Sequence, residues 1–177
     1  FGIDLVPAAI ASYLEKHPDT QFEIETLHHH QITRALRELR VDIGLVFEPP
    51  AAQGIKIDVL AKAKYVVLTN ISMDFGDKKH LSLDDLADMP FISLSTRSPL
   101  GGVLANRIET SKTELRSVAK VETYQMAKAM VAHGAGVAII DEITARSKGH
   151  TNVIARHLEP GLSFKVAMLH IESEPLS

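Results

Sequence analysis

The chain has no cysteine among its 177 residues, which removes disulfide frameworks and thiolate metal sites and is consistent with a reducing compartment. No apolar run reaches membrane-spanning length and no basic-plus-apolar leader opens the chain, so neither a transmembrane helix nor a signal sequence is expected. A basic excess is also missing. With 19 Lys and Arg against 22 Asp and Glu, the net charge is −3 and the cations are scattered, so a direct nucleic-acid surface is not expected. No internal repeat or low-complexity segment is visible. What is present is an apolar content of 45%, enough for one compact domain or two small lobes whose direct partner is a small molecule. The chain opens on Phe1-Gly2 without Met and stops at Leu176-Ser177, a pattern expected of a segment of a longer protein.

The hydrophobic pattern alternates between helix and strand periods. Pro7 suits the first turn of a helix reaching about Lys16, closed by His17-Pro18-Asp19. Phe22 to Thr26 alternates apolar and acidic residues, the period of a half-exposed strand. Ile32, Ala35, Leu36 and Leu39 then fall on one helical face, and Asp42 to Phe47 is a continuous apolar run predicting a central parallel strand. Two strands are expected at Ile55–Leu60 and Tyr65–Thr69, followed by a lapse from Asn70 to His80 that is the candidate crossover between lobes. Beyond it, Ser82 and Asp85 form a capping pair, Phe91–Leu94 is a strand, Leu100, Val103, Leu104 and Ile108 mark a helix, and Val118–Val121 is another strand. Val153–Leu158 and Phe164–His170 are expected strands around the turn Glu159-Pro160-Gly161. Strands alternating with helices predict an α/β protein of two Rossmann-like lobes with a central cleft, ligands sitting beyond the carboxyl ends of the strands.

Val121 to Ala145 is the densest unit: Thr123 caps a helix with Met126, Ala127, Met130 and Val131 on one face, Gly134 and Gly136 stop it, and Val137 to Ile140 is a buried strand. These glycines follow a helix rather than a strand, and Ile139 stands where a third glycine is needed, so a nucleotide-cradling loop is not expected. His28-His29-His30 suggests a metal, but no partner set completes it, and a loop rim giving one imidazole to a polar ligand fits better. Ser95, Thr96, Arg97 and Ser98, hydroxyls and a guanidinium at a helix N-terminus, suit a carboxylate as well as they suit an ordinary capped turn. Ser98 lacks the flanking glycines of a nucleophile elbow, so no catalytic residue is expected. Asp141 and Glu142 fit a helix cap better than an amine site, and Tyr124 and Phe47 either line the cleft or fill the core.

In order and spacing, Leu5-Val-Pro7, Tyr13 to Asp19, Leu36 to Phe47, Leu83 to Leu86 with Pro90 to Leu94, Val121 to Thr123, and Met130 to Ile140 together resemble the effector-binding region of a LysR-type transcriptional regulator. Within that family Ile92-Ser-Leu94, Ser98-Pro-Leu100 and Ile140 to Ala145 are similar to the branch sensing opines and basic or diamino acids. The resemblance implies a type 2 periplasmic-binding-protein-like fold, with lobe I from residues 1–69 plus 146–177 and lobe II from 70–145. It implies an N-terminal winged helix-turn-helix absent from this chain, homodimers or homotetramers, a cytoplasmic location, and DNA contact through the missing domain only. RNA polymerase is a further candidate partner, with no metal, cofactor or membrane involved. The implied inducer pocket comprises Ser95, Thr96, Arg97, Ser98, Thr123, Tyr124, His29, His30, Gln31 and Phe47. Two rivals share the scaffold, a transporter's solute-binding protein and an enzyme.

Overall fold

The computed structural model describes residues 4–49 and 51–172, the side chains of residues 29 and 30 excepted. Its helices are α1 (Leu5–Leu14), α2 (His29–Arg37), α3 (Pro99–Ser111), α4 (Tyr124–Ala132) and α5 (Glu142–Arg146). The strands are β1 (Gly44–Phe47), β2 (Ile55–Asn70), β3 (His80–Leu81), β4 (Pro90–Leu94), β5 (Arg116–Val121), β6 (Val137–Asp141), β7 (Val153–Leu158) and β8 (Ser163–Ile171).

One strand organises both sheets. The expected pair at Ile55–Leu60 and Tyr65–Thr69 is a single strand, β2. Its first part, with Lys56, Asp58, Lys62 and Lys64, pairs antiparallel with β8, which in turn pairs antiparallel with β1. Its second part, from Tyr65 onward, pairs antiparallel with β6 and β7. The second sheet then runs β3, β7, β2, β6, β4, β5, with β6–β4 and β4–β5 parallel. Composition explains the exchange: the charged residues of the first part fit a sheet with one wet face, whereas Tyr65-Val-Val-Leu68 is buried throughout and fits a sheet covered on both. A small core of Leu36, Val46, Ile55, Ala167 and Leu169 packs α2 against the first sheet, and a larger one, including Val67, Ile92, Val131 and Ile139, packs α4 against the second and continues into Phe47, Phe164 and Val166 of the first.

Several expectations change. The sheets exchange at Lys64/Tyr65, ahead of the expected crossover after Asn70, and β7 joins the second sheet through Val66–Asn70. Among the described residues β1 pairs only with β8, antiparallel and at the edge of its sheet with Leu45 exposed, rather than lying centrally in a parallel sheet. Phe22–Thr26 forms no strand: nothing among the described residues pairs with it, and an extended segment without a ladder partner gains no sheet hydrogen bonds. α4 buries Ala127, Lys128 and Val131 and leaves Met126 54% exposed, a face rotated one position from the expected one. Val103 of α3 is likewise exposed.

Other local rules hold. Ser82 and Asp85 cap reciprocally, Ser82 N donating to Asp85 Oδ2 at 2.8 Å and Asp85 N to Ser82 Oγ at 3.3 Å. Gly136, at φ +153°, lies so close to β4 that a Cβ there would sit 2.1 Å from the Pro90 carbonyl oxygen. Asn70 ends β2 by donating to the Val131 and Ala132 carbonyls at 3.0 and 2.9 Å, which closes the last turn of α4.

Candidate functional site

β4 and β5 are parallel neighbours, so their carboxyl ends open at the same place. Ser95 extends the pairing by donating its N–H to the Val121 carbonyl at 2.8 Å, and from there the two loops enter α3 and α4. Ser98 caps α3, its hydroxyl donating to the Ser95 carbonyl at 2.8 Å and accepting from Gly101 N at 3.1 Å. Thr123 caps α4 by accepting from Met126 N at 3.2 Å. Ser95 is buried and Thr96 exposed. Two helix N-termini thus start beside each other at the ends of β4 and β5, a favourable field for an anion.

Arg97 is not a free anion clamp. Its guanidinium donates to Glu122, whose carboxyl is held below its ordinary value chiefly by that hydrogen bond, with the nearby His28 acting in the same direction. His28 precedes α2, so this electrostatic group joins the first-sheet side of the molecule to the second. Gln31 accepts from the His28 N–H at 3.1 Å, while the side chains of His29 and His30 lie outside the described residues.

Phe47 and Tyr124 meet with ring centroids 5.9 Å apart. Phe47 belongs to β1 and Tyr124 to α4, so this contact also spans the two sheets. The ring series continues through Phe164 at 5.1 Å from Phe47 to Tyr65 at 5.2 Å from Phe164. The Tyr65 hydroxyl donates to the Leu100 carbonyl at 3.1 Å, and burial pushes its acidity well below that of a free phenol. Burial likewise raises the Tyr124 pKa, with the Ser98 side chain pulling the other way.

The structure therefore draws together Ser95, Ser98, Thr123, Tyr124 and Phe47, ties Arg97 to Glu122, and leaves Gln31 on α2. Gln31 also borders a surface hollow of about 250 Å³ with Arg34, Ala35, Glu38 and Arg40, which holds none of the other candidates. Sequence reasoning missed Glu122, Tyr65 and Phe164. For Glu122 the signal was its position beside a capping threonine at a strand end; Tyr65 and Phe164 carried none, because aromatic residues in apolar runs look like core. Among the described residues no group of three His, Asp or Glu is arranged to hold a metal ion, and no helix is long and apolar enough to cross a membrane.

A family profile described as LysR substrate binding domain matches residues 1–177. The HTH-type transcriptional regulator DgcR of Pseudoalteromonas sp is 33% identical over 176 residues, covering 99% of this chain and 60% of that protein. The transcriptional activator protein LysR of Escherichia coli (strain K12) is 21% identical over 177 residues, 100% of this chain and 57% of that one. The chain thus spans at most about three-fifths of these relatives' length. Among solved structures, the BenM effector binding domain with its effector benzoate superposes with a TM-score of 0.81 at 23% identity, over 99% of this chain and 81% of that one. The Synechocystis PCC6803 CcmR regulatory domain in complex with 2-PG gives 0.83 at 17% identity, over 97% and 84%. The fold is type 2 periplasmic-binding-protein-like, and the chain belongs to the LysR substrate-binding-domain family.

Proposed function

We propose that this chain is the ligand-sensing region of a DNA-binding transcriptional regulator, taking a small carboxylate, an amino acid or opine, into the cleft between its sheets. The observation that carries this reading is the Phe47–Tyr124 contact, which brings the two sheets together beside the loops that enter α3 and α4. Two capped helix N-termini and the Ser95–Ser98 hydroxyls supply the anion-binding side. The BenM and CcmR domains were solved with benzoate and 2-PG, which supports a small acid as the ligand class here.

The lobes in this reading are residues 29–64 with 162–172, and 65–161, following sheet membership. A ligand touching both stabilises one interlobe angle over another, and only that differential affinity is available to move attached domains. A coupling of about 1–3 kcal/mol suffices for such a switch. DNA contact belongs to a winged helix-turn-helix outside this chain, with the full protein acting in the cytoplasm as a homodimer or homotetramer that meets RNA polymerase. No catalysis is assigned: the Ser98 hydroxyl donates to a backbone carbonyl rather than to a base.

The test is a thermal-shift screen of amino acids, opines and small carboxylates, followed by calorimetry on Ser95→Ala and Thr96→Ala. The expected result is a stabilising acid whose affinity drops in at least one variant. Unchanged affinity in both removes the anion-binding role, and a response to sugars alone removes the ligand class.

A further inference from the structure

We propose a second ligand site, separate from the cleft, for a phosphate or a small phosphate-bearing molecule. It lies in the hollow beside the point where β2 passes from one sheet to the other, and its donors are Lys64, Arg146 and His157. The site stands independently of the effector reading above.

The hollow has a volume of about 270 Å³ and opens between β2, α5 and β7. That is just below the usual range for drug-sized ligands, so the space suits a phosphate with at most a small organic group. Val66 and His157 face each other in register, and Lys64 and Ala155 each stand two residues along, so these four side chains share one face. Glu142 and Arg146, one turn apart on α5, border the same hollow. Glu142 is the carboxylate among the described lining residues, and both its oxygens are committed: Oε1 accepts the Lys64 N–H at 2.8 Å and Oε2 pairs with Arg146 at 2.8 Å. A guanidinium has five N–H donors, so Arg146 keeps several to spare. The Lys64 amine has no hydrogen-bond or ion-pair partner among the described residues. His157 only rests against the His80 ring, centroids 4.9 Å apart, which leaves its ring nitrogens available. Arg156 also borders the hollow but is engaged elsewhere, Nη1 donating to the Lys78 carbonyl at 3.2 Å and Cζ lying 5.4 Å from the centre of the Phe75 ring.

The adjoining pleat carries charge of the same sign. Lys62, two residues before Lys64, stands directly opposite Lys165 of β8, and like charges opposed across a ladder repel. Neither amine has an ion-pair partner among the described residues, and the Glu48 carboxylate accepts the Lys165 backbone N–H at 2.6 Å. Lys62, Lys64 and Lys165 thus form an unneutralised cationic corner in a chain whose net charge is −3. A phosphate monoester carries a charge of about −1.5 to −2 and three acceptor oxygens. It offsets that repulsion, and its paired oxygens match the fork of Arg146. A monocarboxylate brings less charge and fewer oxygens, which separates this site from the small acid proposed for the cleft. Lys64 ends the ladder with β8, while Arg146 and His157 belong to the second sheet's side, so an occupant ties the two sheets together at their junction.

The experiment measures binding of inorganic phosphate and of glycerol 3-phosphate by calorimetry, with glycerol and sodium chloride at matched ionic strength as controls. It is run on the protein and on Lys64→Gln, His157→Gln and Lys120→Gln. Lys64 and His157 are exposed, so their replacement leaves the core in place. Lys120 lies on β5, at the other end of the second sheet, and controls for the loss of one positive charge. The expected result is saturable binding of at least one phosphate, weakened at least about fivefold in both Lys64→Gln and His157→Gln and unchanged in Lys120→Gln. An ester that binds more tightly than the free ion assigns the site to a phosphorylated metabolite, and one that does not assigns it to inorganic phosphate. The site is overturned if neither phosphate binds saturably, if Lys64→Gln or His157→Gln keeps its affinity, or if all three variants lose equally. Loss of phosphate binding in Ser95→Ala with Lys64→Gln unaffected also overturns it and places the anion in the cleft.

Discussion

Lys128→Met tests whether α4 is fixed by a buried cation. Lys128 is 1% exposed, and its Nζ donates at 3.1 Å to the Thr144 carbonyl, 2.5 Å to the Ser147 carbonyl and 3.1 Å to the Ser147 hydroxyl. Methionine keeps a similar stem and removes every donor. The Thr144 carbonyl would stay satisfied, because Ser147 N reaches it at 3.1 Å and the Ser147 hydroxyl at 2.8 Å. The Ser147 carbonyl loses its donor, which costs roughly 1–3 kcal/mol. Asp141 also loses the cation that lies near it, while relief from burying an ammonium offsets part of the total. The net expectation is a loss of about 2 kcal/mol, or a fall of roughly 4–8 °C in Tm for a chain of this size. Urea unfolding with an unchanged slope should give the same figure. A variant that melts at or above the parent temperature would show that the ammonium's burial costs more than its hydrogen bonds return, and would refute the reasoning.

Gly136→Ala should be far worse than Gly134→Ala. Both have positive φ, but a Cβ at 136 meets the Pro90 carbonyl oxygen at 2.1 Å, whereas nothing lies within 4 Å at 134. About 1 kcal/mol is expected at 134 and over 3 kcal/mol at 136, measured by thermal melts; equal losses would contradict the close approach. For Asp85, hydrogen bonds from Lys78 and Ser82 hold the carboxyl at about 2, down from 3.8. Because the folded pKa is depressed, the stabilisation is present above 3.8 and is lost as pH falls through about 2. Asp85→Asn should therefore cost on the order of 1–2 kcal/mol near neutrality, discounted for the exposed Lys78, and should flatten the acid limb of the stability curve. A limb unchanged in the variant assigns that pH dependence elsewhere.

Where local chemistry decides the structure, the sequence was legible. Thr123, Ser98 and the Ser82–Asp85 pair cap helices as their spacing requires, and Val153–Leu158 is a strand at the expected bounds. Long-range pairing was less so. Nothing local to Asp42–Phe47 tells a central strand from an edge strand, because both present apolar residues and the difference lies in β8, far along the chain. The lapse after Asn70 looked like a crossover because polarity rises there, yet the exchange takes place inside a regular strand. Met126 was misplaced for a related reason: a lysine on an amphipathic helix is ordinarily solvated, and only the carbonyls of Thr144 and Ser147 at the end of α5, supplied by tertiary packing, make the burial of Lys128 favourable and turn the face. Around the ends of β4 and β5, Ser98 and Thr123 were recoverable as caps from position, but the Arg97–Glu122 pairing needed β5 beside β4.

The exchange at Lys64/Tyr65 bears directly on how a ligand could be sensed. β2 keeps its ladder with β8 to the pair Lys64–Ser163 and begins its ladder with β6 at Tyr65–Asp141, so no unpaired linker separates the sheets. The junction is further pinned by Lys64 N donating to Glu142 Oε1 at 2.8 Å and Tyr65 N to the Leu162 carbonyl at 3.0 Å. On the two-lobe reading proposed above, a change in interlobe angle would be absorbed by the few backbone torsions around residues 64–65 and 162–163, a hinge rather than a loop. Asp141 stands in register with that hinge, and Tyr65 carries it into the aromatic series that reaches Phe47 on the other sheet. A ligand touching both sheets would act on the torsions that set the angle. A ligand held only by the Ser95–Ser98 loop would touch one lobe and, having no differential affinity for the angle, would bind without switching.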